Sequence, residues 1–151
     1  MNALLKKLNF KNQQSLTVLN APEEFATQME DFAQYLKIVT EIEKSDVPFF
    51  LIFCQKLAEV EHWAPLAHAK LEEDGLFWFA YPKKSSKKYA CDFNRDNGWQ
   101  ALGKLGFEPV RMVAIDEDWS ALRFRKAEQI KEMKRNPKMM LSEEGKKRTK
   151  K

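Results

Sequence analysis

The chain reads as a three-layer α/β domain, doubly wound, with a mostly parallel six-stranded sheet that ends in an antiparallel hairpin. Three observations carry this. Short apolar or alternating runs are separated by segments of helical periodicity, the alternation that builds βαβ units. Two of the runs, Phe49–Cys54 and Leu76–Tyr81, are apolar at every position, as strands buried on both faces of a parallel sheet must be. The last two runs are joined only by Asp116-Glu117-Asp118, too short for a crossover and therefore a hairpin.

In chain order, residues 3–8 put Leu4, Leu5 and Leu8 on one face of a short helix. Ser15–Leu19 is a first strand, β-branched and apolar. Pro22 suits a helix start, and Glu23 and Glu24 complement the helix dipole. Phe25, Met29, Phe32, Ala33 and Leu36 follow at helical spacing. Lys37–Glu43 alternates like an exposed strand, and Ser45-Asp46-Val47-Pro48 reads as a turn before the Phe49–Cys54 strand. A helical region spans Gln55 to about Glu73, with Pro65 expected to split or kink it and Gly75 to end it. After the Leu76–Tyr81 strand, Asp96 or Asn97 is placed to cap a helix carrying Trp99, Leu102 and Leu105, which Gly106 terminates. Val110–Ile115 and Trp119–Phe124 form the closing hairpin. Residues 1–126 thus make one α/β domain, and 127–151 a basic helical and then disordered tail.

The 151 residues allow one core. Net charge is +4 overall, but residues 126–151 carry ten Lys or Arg against four Asp or Glu, leaving the rest slightly acidic. The two cysteines, Cys54 and Cys91, form no paired motif, which favours a reducing cytoplasm over a disulfide scaffold. No apolar run spans a bilayer, and the N-terminus lacks the apolar stretch of a signal peptide.

The most informative stretch is Leu76–Lys88, an aromatic strand halted by Pro82 and followed by Lys83, Lys84, Ser85, Ser86, Lys87 and Lys88. Ligands of open parallel sheets bind beyond the carboxyl ends of the strands, here Asn20, Glu43, Cys54, Lys83 and Asp116. The lysines and serines can bind phosphate or simply meet water. Asp116 and Trp119 can complete a pocket, with Arg123 and Arg125 near in chain, or they can close and pack the hairpin. Asp92 and Arg95 are suited to pair with each other or with the lysine loop. His62 and His68 share no helical face and fit no metal motif. Cys54 reads as a buried thiol, and Trp63, Trp78 and Trp99 as core. No glycine phosphate loop, nucleophile elbow or zinc set occurs. Lys146, Lys147, Arg148, Lys150 and Lys151 can engage nucleic acid or serve solubility.

Val18-Leu19-Asn20-Ala21-Pro22-Glu23, Phe77-Trp78-Phe79-Ala80-Tyr81-Pro82-Lys83-Lys84-Ser85-Ser86 and Ala114-Ile115-Asp116-Glu117-Asp118-Trp119-Ser120-Ala121-Leu122-Arg123 together resemble a bacterial methyltransferase-like domain family of unknown function. The second matches its Trp-Pro-Lys-Lys loop with Tyr81 in place of Trp, and the third its Asp-x-x-Trp-Ser-x-Leu element. The resemblance covers residues 4–125. It implies a class I methyltransferase-like fold with a site at the same rim, and no activity. Methyltransferases hold S-adenosylmethionine at a glycine-rich turn after the first strand and often its ribose on an acid after the second. Here that turn has no glycine, though Glu41 or Glu43 is placed to mimic the acid. The expectation is therefore a non-catalytic or degenerate domain that uses no cofactor and binds an anionic or phosphate-bearing ligand through Lys83, Lys84, Ser85, Ser86, Asp116 and Trp119. The alternatives are an enzyme with unusual cofactor use, Asp116 serving as acid or base, and a nucleic-acid accessory protein that uses the tail.

Overall fold

A computed structural model describes residues 2–42, 46–93 and 97–130. Six strands form one sheet: β1 (Ser15–Leu19), β2 (Lys37–Val39), β3 (Val47–Phe53), β4 (Leu71–Pro82), β5 (Phe107–Ala114) and β6 (Trp119–Lys126). Their spatial order is β2-β1-β3-β4-β6-β5. β2, β1, β3 and β4 run parallel, and β6 pairs antiparallel with both β4 and β5. The strand order reverses at β1, so a topological switch point lies between β1 and β3.

Helices cover both faces. On one, α1 (Ala3–Lys7) and α2 (Ala26–Phe32) pack with Phe49, Leu51, Phe53, Leu76, Trp78 and Ala80. On the other, α3 (Leu57–His68) and α4 (Gln100–Lys104) pack with Phe50, Ile52, Phe77, Phe79 and Tyr81. The alternation of these strand residues between two clusters explains their unbroken apolar character: each face of β3 and β4 has its own core to fill. The fully buried Trp78 donates its indole N–H to the Leu8 carbonyl at 3.0 Å, which fastens the end of α1 to the middle of β4.

Several boundaries differ from the sequence reading. α3 runs through Pro65 and stops at His68. Pro65 and Glu61 both face solvent, so water can take the hydrogen bond that the proline leaves unmade, while Val60, Ala64 and Ala67 hold the buried face. β4 begins at Leu71, opposite Val47, and the next pair is Phe49 with Leu76. Glu72, Glu73 and Asp74 therefore bulge from the sheet. Gly75 is needed for close approach there and does not end the helix: an added Cβ would lie 2.9 Å from Leu71 Cδ1, 3.0 Å from the Glu72 oxygen and 3.2 Å from the Pro48 oxygen.

Val47 and Pro48 belong to β3, and Pro109 to β5. Both prolines stand where the register shifts, positions at which a missing N–H breaks no regular ladder. β2 ends at Val39, earlier than alternation suggested. A 3₁₀ turn, Glu23–Phe25, precedes α2, which ends at Phe32, and Ala33–Leu36 continue as a turn. α4 starts at Gln100 with Trp99 in the capping position and no side-chain cap, so Asn97 does not cap it, and Asp96 lies outside the described residues. Of the expected Ala127–Arg135 helix, Ala127–Gln129 form a 3₁₀ turn, and 131–135 lie outside the described residues. The remainder of the tail, with Lys146, Lys147, Arg148, Lys150 and Lys151, lies outside the described residues.

Candidate functional site

The carboxyl ends of β1, β3 and β4 share one rim, at Asn20, Cys54 and Lys83, and β6 departs from it. Pro82 pairs with Trp119, and the Lys83 N–H donates to the Asp118 carbonyl at 2.7 Å. Beyond Lys83 the chain turns back, with the Ser86 N–H donating to the Lys83 carbonyl at 3.0 Å. The Ser86 hydroxyl then organises the loop. It donates to Asp118 Oδ1 at 2.8 Å and accepts the N–H groups of Tyr89 at 3.0 Å and Lys88 at 3.3 Å. Asp116 closes the β5–β6 turn: its Oδ1 accepts the N–H groups of Asp118 and Trp119, both at 2.8 Å. The lysine loop is thus a folded arm fixed to the hairpin.

The six residues singled out from sequence separate into roles. Lys83, Lys84, Ser85 and Ser86 form one wall of an open cavity of about 900 Å³. Lys83 is half-buried, and Lys84 and Ser85 are exposed. Asp116 spends a carboxylate oxygen on the turn. Trp119 is 2% exposed and packs between Phe53 and Tyr89 at centroid distances of 5.0 and 4.9 Å, on the opposite side of the strand from the cavity. Ser120, one residue on, lines the cavity in its place. Tyr81, Phe93 and Met112 give the cavity an apolar floor, and Asp92 and Asn97 add polar edges. Of these, Phe93 and Met112 were not singled out from sequence. Strand alternation separates Ser120 from Trp119, because Ser120 pairs with Tyr81 and neither shares a face with Trp119.

The loop's charges are unequal. Lys88 pairs with Glu24 at 3.4 Å. The Tyr89 hydroxyl also donates to the Glu24 carboxylate. That bond raises the Tyr89 phenol to about 12 and lowers the Glu24 carboxyl. Lys83 and Lys84 have no carboxylate partner among the described residues. The cavity wall therefore carries two cations whose charge no acid among the described residues meets.

Other candidates serve structure. Asp92 Oδ1 accepts the Leu57 N–H at 2.6 Å and caps the start of α3, while Arg95 lies outside the described residues. Arg125 lies at the far end of β6, roughly 20 Å from Trp119 at about 3.4 Å per residue, where it makes a two-pronged pair with Asp74 at 2.8 Å on both arms. Arg123, opposite Trp78, reaches Asn9 at 3.3 Å, so neither arginine belongs to the rim. His62 and His68 make edge contacts with Trp63 and Phe107. No group of three metal-binding side chains occurs among the described residues. Burial pushes the Cys54 thiol far above its usual range and also raises the half-buried Cys91. No helix among the described residues is long and apolar enough to cross a membrane.

Neither a family model nor a curated protein matches the sequence. Solved structures do match the fold. A SAM-dependent methyltransferase from Aquifex aeolicus aligns at TM-score 0.55 and 11% identity, over 80% of this chain and 86% of that one. A type 11 methyltransferase from Sulfolobus solfataricus aligns at 0.56 and 8%, over 89% and 96%. The pyocyanin biosynthetic protein PhzM aligns at 0.53 and 11%, over 81% of this chain and 53% of its own. The chain has a class I methyltransferase-like fold, and at these identities the likeness is one of fold alone.

That fold raises the question of S-adenosylmethionine. The exit of β1 is Asn20-Ala21-Pro22-Glu23-Glu24, every residue carrying a Cβ, with Asn20 at φ 59°. Ala21 packs against the core. Phe25 meets Phe53 at 4.9 Å, Phe53 meets Trp119, and Trp119 meets Tyr89. Four rings therefore pack in series between the β1 exit and the lysine loop, and Tyr89 is tied to Glu24 across them. Glu41 lines a separate apolar groove of about 390 Å³ with Asn20, Trp63 and Leu66, and Glu43 lies outside the described residues. A close backbone approach at the β1 turn needs missing side chains, so the residues present do not fit the cofactor at that turn.

Proposed function

We propose that this chain is a non-catalytic, methyltransferase-like domain that binds an anionic or phosphate-bearing ligand in the rim cavity. One observation carries the reading: Lys83 and Lys84, without an acid partner among the described residues, stand on the wall of a 900 Å³ cavity beyond the end of a central strand. That volume is in the range of small-ligand pockets. Charge-assisted hydrogen bonds from ammonium groups to a phosphate are stronger than neutral ones, and the Ser85 hydroxyl adds a neutral donor. The Ser86 bonds hold the arm in shape before a ligand arrives, which reduces the ordering cost of binding. The likeness of the Lys83-Lys84 and Asp116–Leu122 segments to a family without an assigned reaction is consistent with this reading. Two free thiols agree with a reducing cytoplasm.

Calorimetric titration with inorganic phosphate tests the proposal. Wild-type protein is expected to bind, weakly and with strong salt dependence, and K83A/K84A to lose about tenfold or more in affinity, since each charged hydrogen bond contributes ~1.5–3 kcal/mol before solvent screening. S-adenosylmethionine is expected to give no heat. Equal phosphate binding by wild type and K83A/K84A refutes the site, and saturable binding of S-adenosylmethionine refutes the loss of the cofactor turn.

A further inference from the structure

We infer that the ligand of this cavity is a nucleoside monophosphate, its phosphate on the lysine wall and its base over the apolar floor. This rests on the anion-binding reading above and adds the chemistry of the rest of the ligand. A site for a free inorganic anion needs little more than donors. This cavity is much larger than one phosphate, and its surface divides into two kinds. Lys83, Lys84 and Ser85 are at one side, while the floor is two aromatic rings and a thioether.

The floor is built to stay in place. Tyr81 and Phe93 are 5% and 6% exposed, so each presents only a small part of its ring. Both lean on Trp99, at centroid distances of 5.5 and 5.0 Å. Met112 is held by the Tyr81 hydroxyl, which donates to its sulfur at 3.5 Å. Even so, Met112 is 48% exposed, one of three large hydrophobic side chains so placed among the described residues. An exposed, polarizable thioether beside aromatic rings is a surface on which a flat π-system gains contact. Sugar and base edges need polar partners, and Asp92 and Ser120 are among the polar groups that line the same cavity. A purely aliphatic phosphate would leave those groups unused, and a polyanion would meet the Asp92 carboxylate.

The test compares three probes on one protein: adenosine 5′-monophosphate, adenosine and inorganic phosphate, with Trp fluorescence and calorimetry as readouts. Adenosine 5′-monophosphate is expected to bind about tenfold or more tighter than phosphate, in keeping with stacking of one base, and to change Trp99 emission through Phe93 and Tyr81. M112A, at an exposed position that leaves folding intact, is expected to erase much of that preference while phosphate affinity stays the same. K83A/K84A is expected to weaken both phosphorylated probes and leave adenosine unchanged. If phosphate binds as tightly as the nucleotide, or M112A leaves the preference intact, the nucleotide inference is overturned and the anion site stands. If neither phosphorylated probe binds, both fall.

Discussion

The Ser86 hydroxyl is a sharp place to test whether the lysine arm is ordered by its own bonds. Ser86→Ala removes one hydrogen bond donated to a carboxylate at 2.8 Å and two accepted from backbone N–H groups at 3.0 and 3.3 Å. Typical values are ~1.5–3 kcal/mol for the charged bond and ~0.5–1.5 kcal/mol for each neutral one. Ser86 is half-buried and Lys88 exposed, so water replaces much of this, and a net local loss of about 1–2 kcal/mol is expected. That corresponds to a roughly 5- to 30-fold rise in local opening. Amide hydrogen exchange reads it directly: the Lys88 and Tyr89 amides should lose protection by that factor, while β3 and β4 amides hardly change, because the arm opens without the core. Anion affinity should fall in parallel. D118N, which keeps an acceptor but removes the charge, should lose less. Unchanged protection at Lys88 and Tyr89 in S86A, or an equal loss throughout the sheet, refutes the reasoning.

Three further outcomes follow from the packing. The Tyr89 phenol, ordinarily at 10.0, is raised to about 12 by its bond to Glu24. The fold thus favours the protonated phenol, and the contribution is full below pH 10 and lost as pH rises from about 10 to 12. Tyrosinate absorbance should show a late-titrating component from Tyr89 that E24Q moves back toward 10. The matching contribution of Glu24, whose carboxyl is lowered, is present above its usual range and lost in acid. Trp78→Phe removes the bond to Leu8 and leaves a void, and should cost about 2–3 kcal/mol in denaturant unfolding. Gly75→Ala places a methyl against two carbonyl oxygens and Leu71, and should lower stability by about 1–3 kcal/mol as read by the denaturation midpoint.

The fold was legible because its signals are local. Phe49–Cys54 and Leu76–Tyr81 are apolar at every position for the plain reason that both faces are buried, and a three-residue linker allows only a hairpin. What was missed depends on pairing. Nothing local distinguishes Gly75 as the end of a helix from Gly75 as the exit of a bulge. That follows only from Val47 lying opposite Leu71. At the site, the lysine arm was visible as a composition break after Pro82, but the far side of the cavity was not. Tyr81, Phe93 and Met112 come from three separate segments and read individually as ordinary core or surface. Trp119 has two readings, a pocket wall or a residue packing the hairpin, and the second holds. A tryptophan at a strand start beside an aspartate suggests a pocket, yet its parity sends it into the core against Phe53 and leaves Ser120 on the cavity.

The central claim is spatial: binding has its place at the lysine arm, away from the β1 turn. Amide chemical-shift mapping of the isotopically labelled protein, titrated with inorganic phosphate, tests it most directly. The account predicts saturable shifts at Lys83, Lys84, Ser85 and neighbouring Ser120, with Asn20, Ala21 and Glu23 still. Shifts centred on Asn20–Glu23, or none at the arm at saturating phosphate, would contradict it.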